Sequence, residues 1–451
     1  MRNDSDRNSS DLKTRRYYRN EGDFVWIDRH GVDQRADTLL NYLKAVTDMG
    51  FDRQHFYVDA IEKDLNRLRN LELDSCNNQI NHVMARLEYR LTKAYLRYAA
   101  GQRFGFVNPT YVLNRLDSIE PSPYDSIGQP VKYRGLFDIK IEHAGNTFYS
   151  NALMIAKKDS LGRFLQSIQP SDPFYYQLKR RLGNMKIGKA ERAKLLCNME
   201  RSRWRQSDSP YKHQKYVMVN IPSFHLMCID HADTLTMRIG CGSFKTKTPL
   251  LCSYIKSMDL NPKWIIPRSI LVKDIIRHVG NPSYFYLHNY FAIERATGKE
   301  VDPAILTRQM LLSGEYGIAQ QGGNGNALGR IIFRFDNNFS VFLHDTSSKG
   351  VFSREDRGVS HGCVRVEKPF ELAVFLLKDK DEQIIEKIKY SMTADSLEDH
   401  KMVIANINVK PQIPLFITYY TMYPIAGGRV EEYPDVYGYD RVIYSLLKKY
   451  L

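Results

Sequence analysis

The chain has no run of about eighteen apolar residues, the length a membrane-spanning helix requires, although 43% of its 451 residues are hydrophobic. Its start, Met1-Arg-Asn-Asp-Ser-Asp-Arg7, is polar and has no apolar signal core. Cysteine is sparse, with six residues at 76, 197, 228, 241, 252 and 363. That density excludes the disulfide framework of small secreted domains, while a bridge among Cys228, Cys241 and Cys252 stays open. There is no zinc-finger spacing and no basic block interleaved with aromatics, so nucleic acid is not an expected partner. Gly322-Gly-Asn-Gly-Asn-Ala-Leu-Gly329 lacks the Gly-Lys-Ser/Thr of a phosphate loop and follows no strand, which excludes a nucleotide site. His225, Cys228, His231 and Cys241 fit no zinc template, and the strand-like run Phe224 to Ile229 sends alternate side chains to opposite faces. No metal is expected there.

What is present is enough apolar residue for a sizeable core, and a length that predicts about two to four structural units. The formal net charge is +14. It suits an anionic membrane surface or an acidic polymer such as cell wall, but Lys and Arg are dispersed and read first as solvated surface.

Chemistry is concentrated in Val341-Phe-Leu-His-Asp-Thr-Ser347 and Val359-Ser-His-Gly-Cys-Val-Arg-Val366. Apolar residues alternate before His344 (Val341, Leu343) and after Cys363 (Val364, Val366), which predicts strands holding both groups. Cysteine acyl transfer needs a thiolate, an imidazole to take and return a proton, and N–H groups aimed at an oxyanion. Cys363, His344 and the amides of Gly362 and Cys363 supply that set, with Gly362 free to bend the backbone beside a substrate carbonyl. The plainer reading is a buried cysteine beside a turn glycine. If Cys363 stays reduced for chemistry, five cysteines remain, an odd number, so at least one more thiol is unpaired.

A histidine, a spacer and Ser-His-Gly-Cys resemble the L,D-transpeptidase catalytic domain, also called YkuD; here fifteen residues, Asp345 to Val359, separate His344 from Ser360. Arg365 stands where many members have Asn, and Asp345 where many have Gly. These departures resemble the larger YcbB subfamily, as do Asn198-Met-Glu-Arg-Ser-Arg-Trp204, Val219-Asn-Ile-Pro-Ser-Phe224, Asn261-Pro-Lys-Trp264, Asn326-Ala-Leu-Gly-Arg330 and Ile413-Pro-Leu-Phe-Ile-Thr-Tyr-Tyr420.

The resemblance implies a peptidoglycan L,D-transpeptidase that needs no cofactor. Cys363 would take a donor tetrapeptide stem as a thioester with loss of D-Ala, His344 would serve as general acid and base, and an acceptor amine would complete a 3-3 cross-link. His361 is read as orienting the site or touching substrate, with Ser360 beside it, and not as the base. Arg365 is read as holding a stem-peptide carboxylate or forming a salt bridge to Asp345 or Glu367. Carbapenems are implied as covalent inhibitors, and an extracytoplasmic location as the site of action, with an export segment trimmed and an initiator Met added. Hydrolysis of the same thioester (L,D-carboxypeptidase or endopeptidase activity) and a catalytically silent wall-binding scaffold stay open, and oligomeric state is not legible.

The expected fold class is α+β. A charged tail over 1–22 precedes a helical scaffold over 23–205, in which Leu39, Leu40, Leu43 and Val46, then Val83, Leu87, Leu91, Ala94, Tyr95 and Tyr98, recur at helical spacing. The twelve residues Gly183 to Lys194 are too few for the peptidoglycan-binding module that the subfamily often carries there. A mainly antiparallel catalytic domain over 214–392 follows, opening with a hairpin through Tyr216 to Ile221 and Phe224 to Ile229. By resemblance, 262–328 is a helical, then Gly-rich capping insertion, with Trp264, Tyr316 and Gln320 facing the ligand and the glycines reading as a lid hinge or a long surface loop. Residues 393–451 are read as a segment packing on the rest.

Overall fold

The structure, a computed structural model, describes residues 9–119, 130–184, 186–377, 381–393, 399–425 and 429–451. It divides into two compact units, one of residues 1–118, 140–207 and 420–451, the other of 119–139 and 208–419.

The first unit is helical. Its longest helix, Ile80–Phe104, buries Val83, Leu87, Leu91, Ala94, Tyr95 and Tyr98, the stripe its spacing predicts. The same helix buries polar groups, several of them in specific pairs. Glu88 accepts the backbone N–H groups of Val25 and Trp26 and the Tyr18 hydroxyl, and Arg97 holds Asp11 at 2.9 Å with both side chains almost fully buried. That pair overturns part of the tail expected over 1–22: Ser9–Arg19 is a helix that buries Ser10, Asp11 and Thr14, and residues 1–8 lie outside the described set. Its low apolar content misled because a buried ion pair, not apolar area, seats it. Pro173–Leu182 and Lys189–Arg203 follow, with the residues before Lys189 forming a short connection.

The second unit is built on a β-sheet that closes on itself. Ile331–Phe335, Leu343–His344, Val364–Val366, Asp233–Gly242, His225–Asp230, Lys215–Asn220, Asn406–Thr418 and Leu250–Leu260 are hydrogen-bonded in that order, and Ile331–Phe335 pairs with Leu250–Leu260 to complete the circuit. Within the circuit, pairing is antiparallel except between Leu343–His344 and Val364–Val366 and between Lys215–Asn220 and Asn406–Thr418. The predicted hairpin is present in register, Val217 opposite Cys228 and Val219 opposite Leu226. Val219, Ile239, Leu343, Val366, Leu415 and Ile417 are fully buried within it.

Two boundaries fall elsewhere than the sequence suggested. Asn406–Thr418, assigned to a segment packing from outside, is an internal strand of the circuit, and residues 420–451 belong to the helical unit. Phe137–Asp138, inside the expected scaffold, pairs with Leu250–Leu251 of the β unit. The capping insertion is also less helical than expected. It holds an antiparallel sheet ordered Glu300–Val301, Tyr290–Glu294, Tyr316–Gln320, Trp264–Ile265, packed with short helices around Ile266, Leu271, Phe285, Leu306, Leu311 and Ile318. Among the described residues, no helix is long and apolar enough to cross a membrane.

Candidate active site

His344 ends one strand and lies opposite Arg365 on its parallel neighbour, with Leu343 opposite Val364. Cys363 immediately precedes that second strand. The turn into it is made by Gly362 at φ 125°, a conformation that strains residues with a Cβ. Hydroxyls pin this turn on every side. Ser360 Oγ donates to the Cys363 carbonyl at 2.6 Å and accepts the Gly362 N–H at 3.0 Å. From the loop between Asp233–Gly242 and Leu250–Leu260, Thr246 Oγ1 donates to the Ser360 carbonyl at 2.7 Å and Thr248 Oγ1 to the Gly362 carbonyl at 2.8 Å. Fixed donors of this kind preorganise a site because nothing must reorient during reaction.

A pocket of about 500 Å³ opens over the turn, lined on the barrel side by His344, Ser360, His361, Cys363 and Arg365 and on the insertion side by Trp264, Ile265 and Ile270. His344 is buried, and its Nδ1 donates to the Asp345 carbonyl. The Leu328 backbone is a second hydrogen-bond partner of the ring, so two backbone groups orient it. Burial first, and the Arg365 charge second, push the His344 pKa down to about 4. Burial pushes the half-buried Cys363 thiol up to about 11, against a Phe342 backbone hydrogen bond and the Arg365 charge, which favour the thiolate. With those values the thiol and the imidazole are both neutral, and moving a proton between them is steeply uphill.

Arg365 forms neither salt bridge the sequence allowed. Asp345 binds Lys349 and the Arg330 N–H, and Glu367 binds Arg238, so no carboxylate reaches the guanidinium among the described residues. Its Nε is buried without a hydrogen-bond partner.

The remaining expected site residues divide. Trp264 lines the pocket, and exposed His361 lines it with Nε2 3.6 Å from Asp274 Oδ2 of the insertion. Tyr316 does not line it; its ring packs on the insertion core. Gln320 is buried and spent on structure, its Nε2 donating to the His288 carbonyl at 2.9 Å and its Oε1 accepting the Ala327 N–H at 2.9 Å. Gly362 is corrected as an oxyanion donor, since its N–H is already bonded to Ser360. The Cys363 N–H has no protein partner among the described residues. The glycine-rich run is tied down at Asn326, which donates to the carbonyls of Pro262 at 3.2 Å and Gln321 at 2.7 Å. Thr246, Thr248 and the Phe342 amide were not legible as site residues, because a threonine far along the chain carries no local mark of what its hydroxyl will hold.

All six cysteines are free, so no bridge joins Cys228, Cys241 and Cys252. No cluster of metal-ligating side chains occurs among the described residues.

Residues 214–385 match the family model of the L,D-transpeptidase catalytic domain, and residues 13–182 match that of a Scaffold domain. The chain therefore carries a helical region that matches a Scaffold domain and a β-rich region that matches a YkuD-type L,D-transpeptidase catalytic domain. Among curated proteins, a "Putative L,D-transpeptidase" of Haemophilus influenzae (strain ATCC 51907 / DSM 11121 / KW20 / Rd) is 29% identical over 308 residues, 66% of this chain and 60% of that protein. The chain thus spans about three fifths of that relative's length. Two solved structures show a slight likeness at a TM-score of 0.22 and 11% identity: the Ldtfm-avibactam carbamoyl enzyme, over 47% of this chain and 52% of that one, and the L,D-transpeptidase from Mycobacterium smegmatis, over 46% and 58%.

Proposed function

We propose that the protein is an extracytoplasmic peptidoglycan L,D-transpeptidase of the YcbB-like kind, with Cys363 as nucleophile and His344 as general acid and base. The observation that carries this is the meeting of a cysteine, a buried histidine oriented by backbone groups and an arginine whose Nε has no partner in one pocket of a region that matches the L,D-transpeptidase catalytic domain. The donor is a tetrapeptide stem. The thiol loses its proton to His344 as sulfur bonds to the carbonyl carbon next to the terminal D-Ala, and the Cys363 amide holds the oxyanion. Collapse breaks the C–N bond, His344 returns the proton to the departing nitrogen, and D-Ala leaves a thioester on Cys363. An acceptor stem's side-chain amine then attacks the thioester, giving a 3-3 cross-link and regenerating the thiol. No cofactor enters.

Trp264 and His361 bound the substrate cleft, and Arg365 binds a stem carboxylate. Carbapenems are the expected covalent inhibitors. Incubation with a carbapenem followed by mass spectrometry is expected to give an adduct on Cys363 that Cys363→Ala lacks; an unmodified wild-type protein refutes the reading. Incubation with purified muropeptides then separates cross-linking, which makes dimers, from hydrolysis, which makes only shortened stems.

A further inference from the structure

Of the two amides expected to meet an oxyanion, the Gly362 N–H is held by Ser360 Oγ, and the Cys363 N–H has no protein partner among the described residues. The direction of the Cys363 N–H is not set by its own residue. The Gly362–Cys363 peptide is trans, so the Gly362 carbonyl and the Cys363 N–H point opposite ways. Glycine tolerates either edge of that plane turned toward the pocket. Turned over, the plane would offer a carbonyl oxygen to a developing negative charge.

The Gly362 carbonyl is held from behind. Thr248 Oγ1 donates to it at 2.8 Å and accepts the Gly242 N–H at 2.9 Å. The accepted bond occupies a lone pair of the hydroxyl and leaves its one proton for the carbonyl. Thr248 is fully buried and does not line the pocket, whereas Cys363 does. The loop that carries the threonine is pressed on Gly242, where a Cβ would stand 2.1 Å from the Thr246 carbonyl oxygen and 2.7 Å from the Thr248 nitrogen. So close a seat leaves the hydroxyl little room to move.

We propose that Thr248 is the positioning residue that aims the Cys363 amide at the oxyanion. The proposal rests on Cys363 as nucleophile and on its amide as oxyanion donor. The Gly242 N–H, the Thr248 hydroxyl, the Gly362–Cys363 amide and the oxyanion form one chain of hydrogen bonds, in which each bond polarises the next. As sulfur bonds to the carbonyl carbon and the C=O π pair moves onto oxygen, the amide it meets is already oriented and already polarised. A donor in that condition lowers the barrier without reorganisation. Thr246 acts one peptide plane earlier, where it and the Ser243 N–H hold the Ser360 carbonyl. That contact fixes the approach to the turn and leaves the Cys363 amide to Thr248.

The test compares two reactions of Cys363 in the full chain, mapped by peptide mass spectrometry because Cys363 is one of six free cysteines. Acylation by a carbapenem passes through an oxyanion. Alkylation by iodoacetamide, in which sulfur displaces iodide from a saturated carbon, does not. Thr248→Val removes the hydroxyl and keeps the branched shape. It is expected to slow acylation by about 10- to 100-fold, a smaller loss than deleting an oxyanion donor outright, and to leave alkylation within about 3-fold of wild type, since the thiol itself is untouched. Thr248→Ser, which keeps the hydroxyl, is expected to acylate within about 3-fold of wild type. Unchanged acylation in Thr248→Val, or acylation and alkylation slowed together, overturns the proposal. The thioester carbonyl stretch of the wild-type acyl-enzyme decides even if Thr248→Val does not fold: it is expected below that of the same adduct after unfolding, and an equal frequency overturns the proposal. A wild-type protein that takes iodoacetamide on Cys363 but no carbapenem overturns the acyl-transfer reading instead, and this proposal with it.

Discussion

His344 and Arg365 lie opposite each other on two adjacent parallel strands, so a neutral imidazole and a guanidinium with no acidic partner among the described residues share one stretch of pocket wall. The guanidinium charge partly offsets the burial that holds Cys363 as a thiol and adds to the burial that holds His344 neutral.

His344→Gln is expected to lower the rate of Cys363 acylation by about 100- to 10,000-fold, the usual weight of a positioned general base. Stopped-flow measurement of carbapenem acylation checks this. A rate within a few-fold of wild type moves the base to another group.

The depressed His344 pKa also predicts acid sensitivity. The folded state keeps the ring neutral down to about pH 4, whereas an unfolded chain protonates it near pH 6.5. Between these values the unfolded state binds more protons, so the contribution is complete above pH 6.5 and shrinks as pH falls, by at most about 3 kcal/mol at pH 4. Urea unfolding of wild type and His344→Gln across pH 4 to 7 is expected to show a shallower slope in the variant.

Ser360→Ala strips the Gly362 N–H and the Cys363 carbonyl of their shared partner. A loss of about 1–3 kcal/mol in stability is expected, with acylation slowed because the turn holding the nucleophile is no longer braced. Thermal unfolding and carbapenem labelling report the two effects separately.

Gly329→Ala meets a different obstacle. At φ 64° a Cβ there would stand 2.3 Å from Asp345 Oδ2, the carboxylate that binds the Arg330 amide and Lys349. Displacing Asp345 disturbs the carbonyl to which His344 Nδ1 is hydrogen-bonded. The variant is expected to lose about 1–3 kcal/mol and to acylate more slowly than wild type; unchanged values on both counts refute the coupling.

In the helical domain, Arg97→Met leaves Asp11 buried without its ion-pair partner. A destabilisation of about 3–5 kcal/mol is expected, together with fast amide exchange across Ser9–Arg19. Protected amides there refute the view that the pair seats this helix.

Local pattern was legible and long-range partnership was not. Val83 to Tyr98 and the hairpin through Val219 and Leu226 follow from spacing alone, because each element's apolar face is written in consecutive residues. Cys363 and His344 could be picked out because a histidine followed by Ser-His-Gly-Cys is a recognisable local pattern. The helix at Asp11 depends on Arg97, and Gln320 is consumed by His288 and Ala327, relations that composition does not encode. The strands Trp264–Ile265 and Glu300–Val301 are too short to display an alternation. Gly362 was misjudged because the serine two positions earlier claims the very amide that its flexibility was expected to offer.

The strand Asn406–Thr418 inserts between Lys215–Asn220, which lies about two hundred positions earlier, and Leu250–Leu260. During synthesis Cys363 and His344 are made well before the strand that completes their barrel. Until then two long strands stand with bare hydrogen-bonding edges, a state prone to pairing with other chains. A chain cut after the family-model match at 385 would keep every site residue and still be left in that condition, so soluble, active protein is expected only from chains that extend past Thr418.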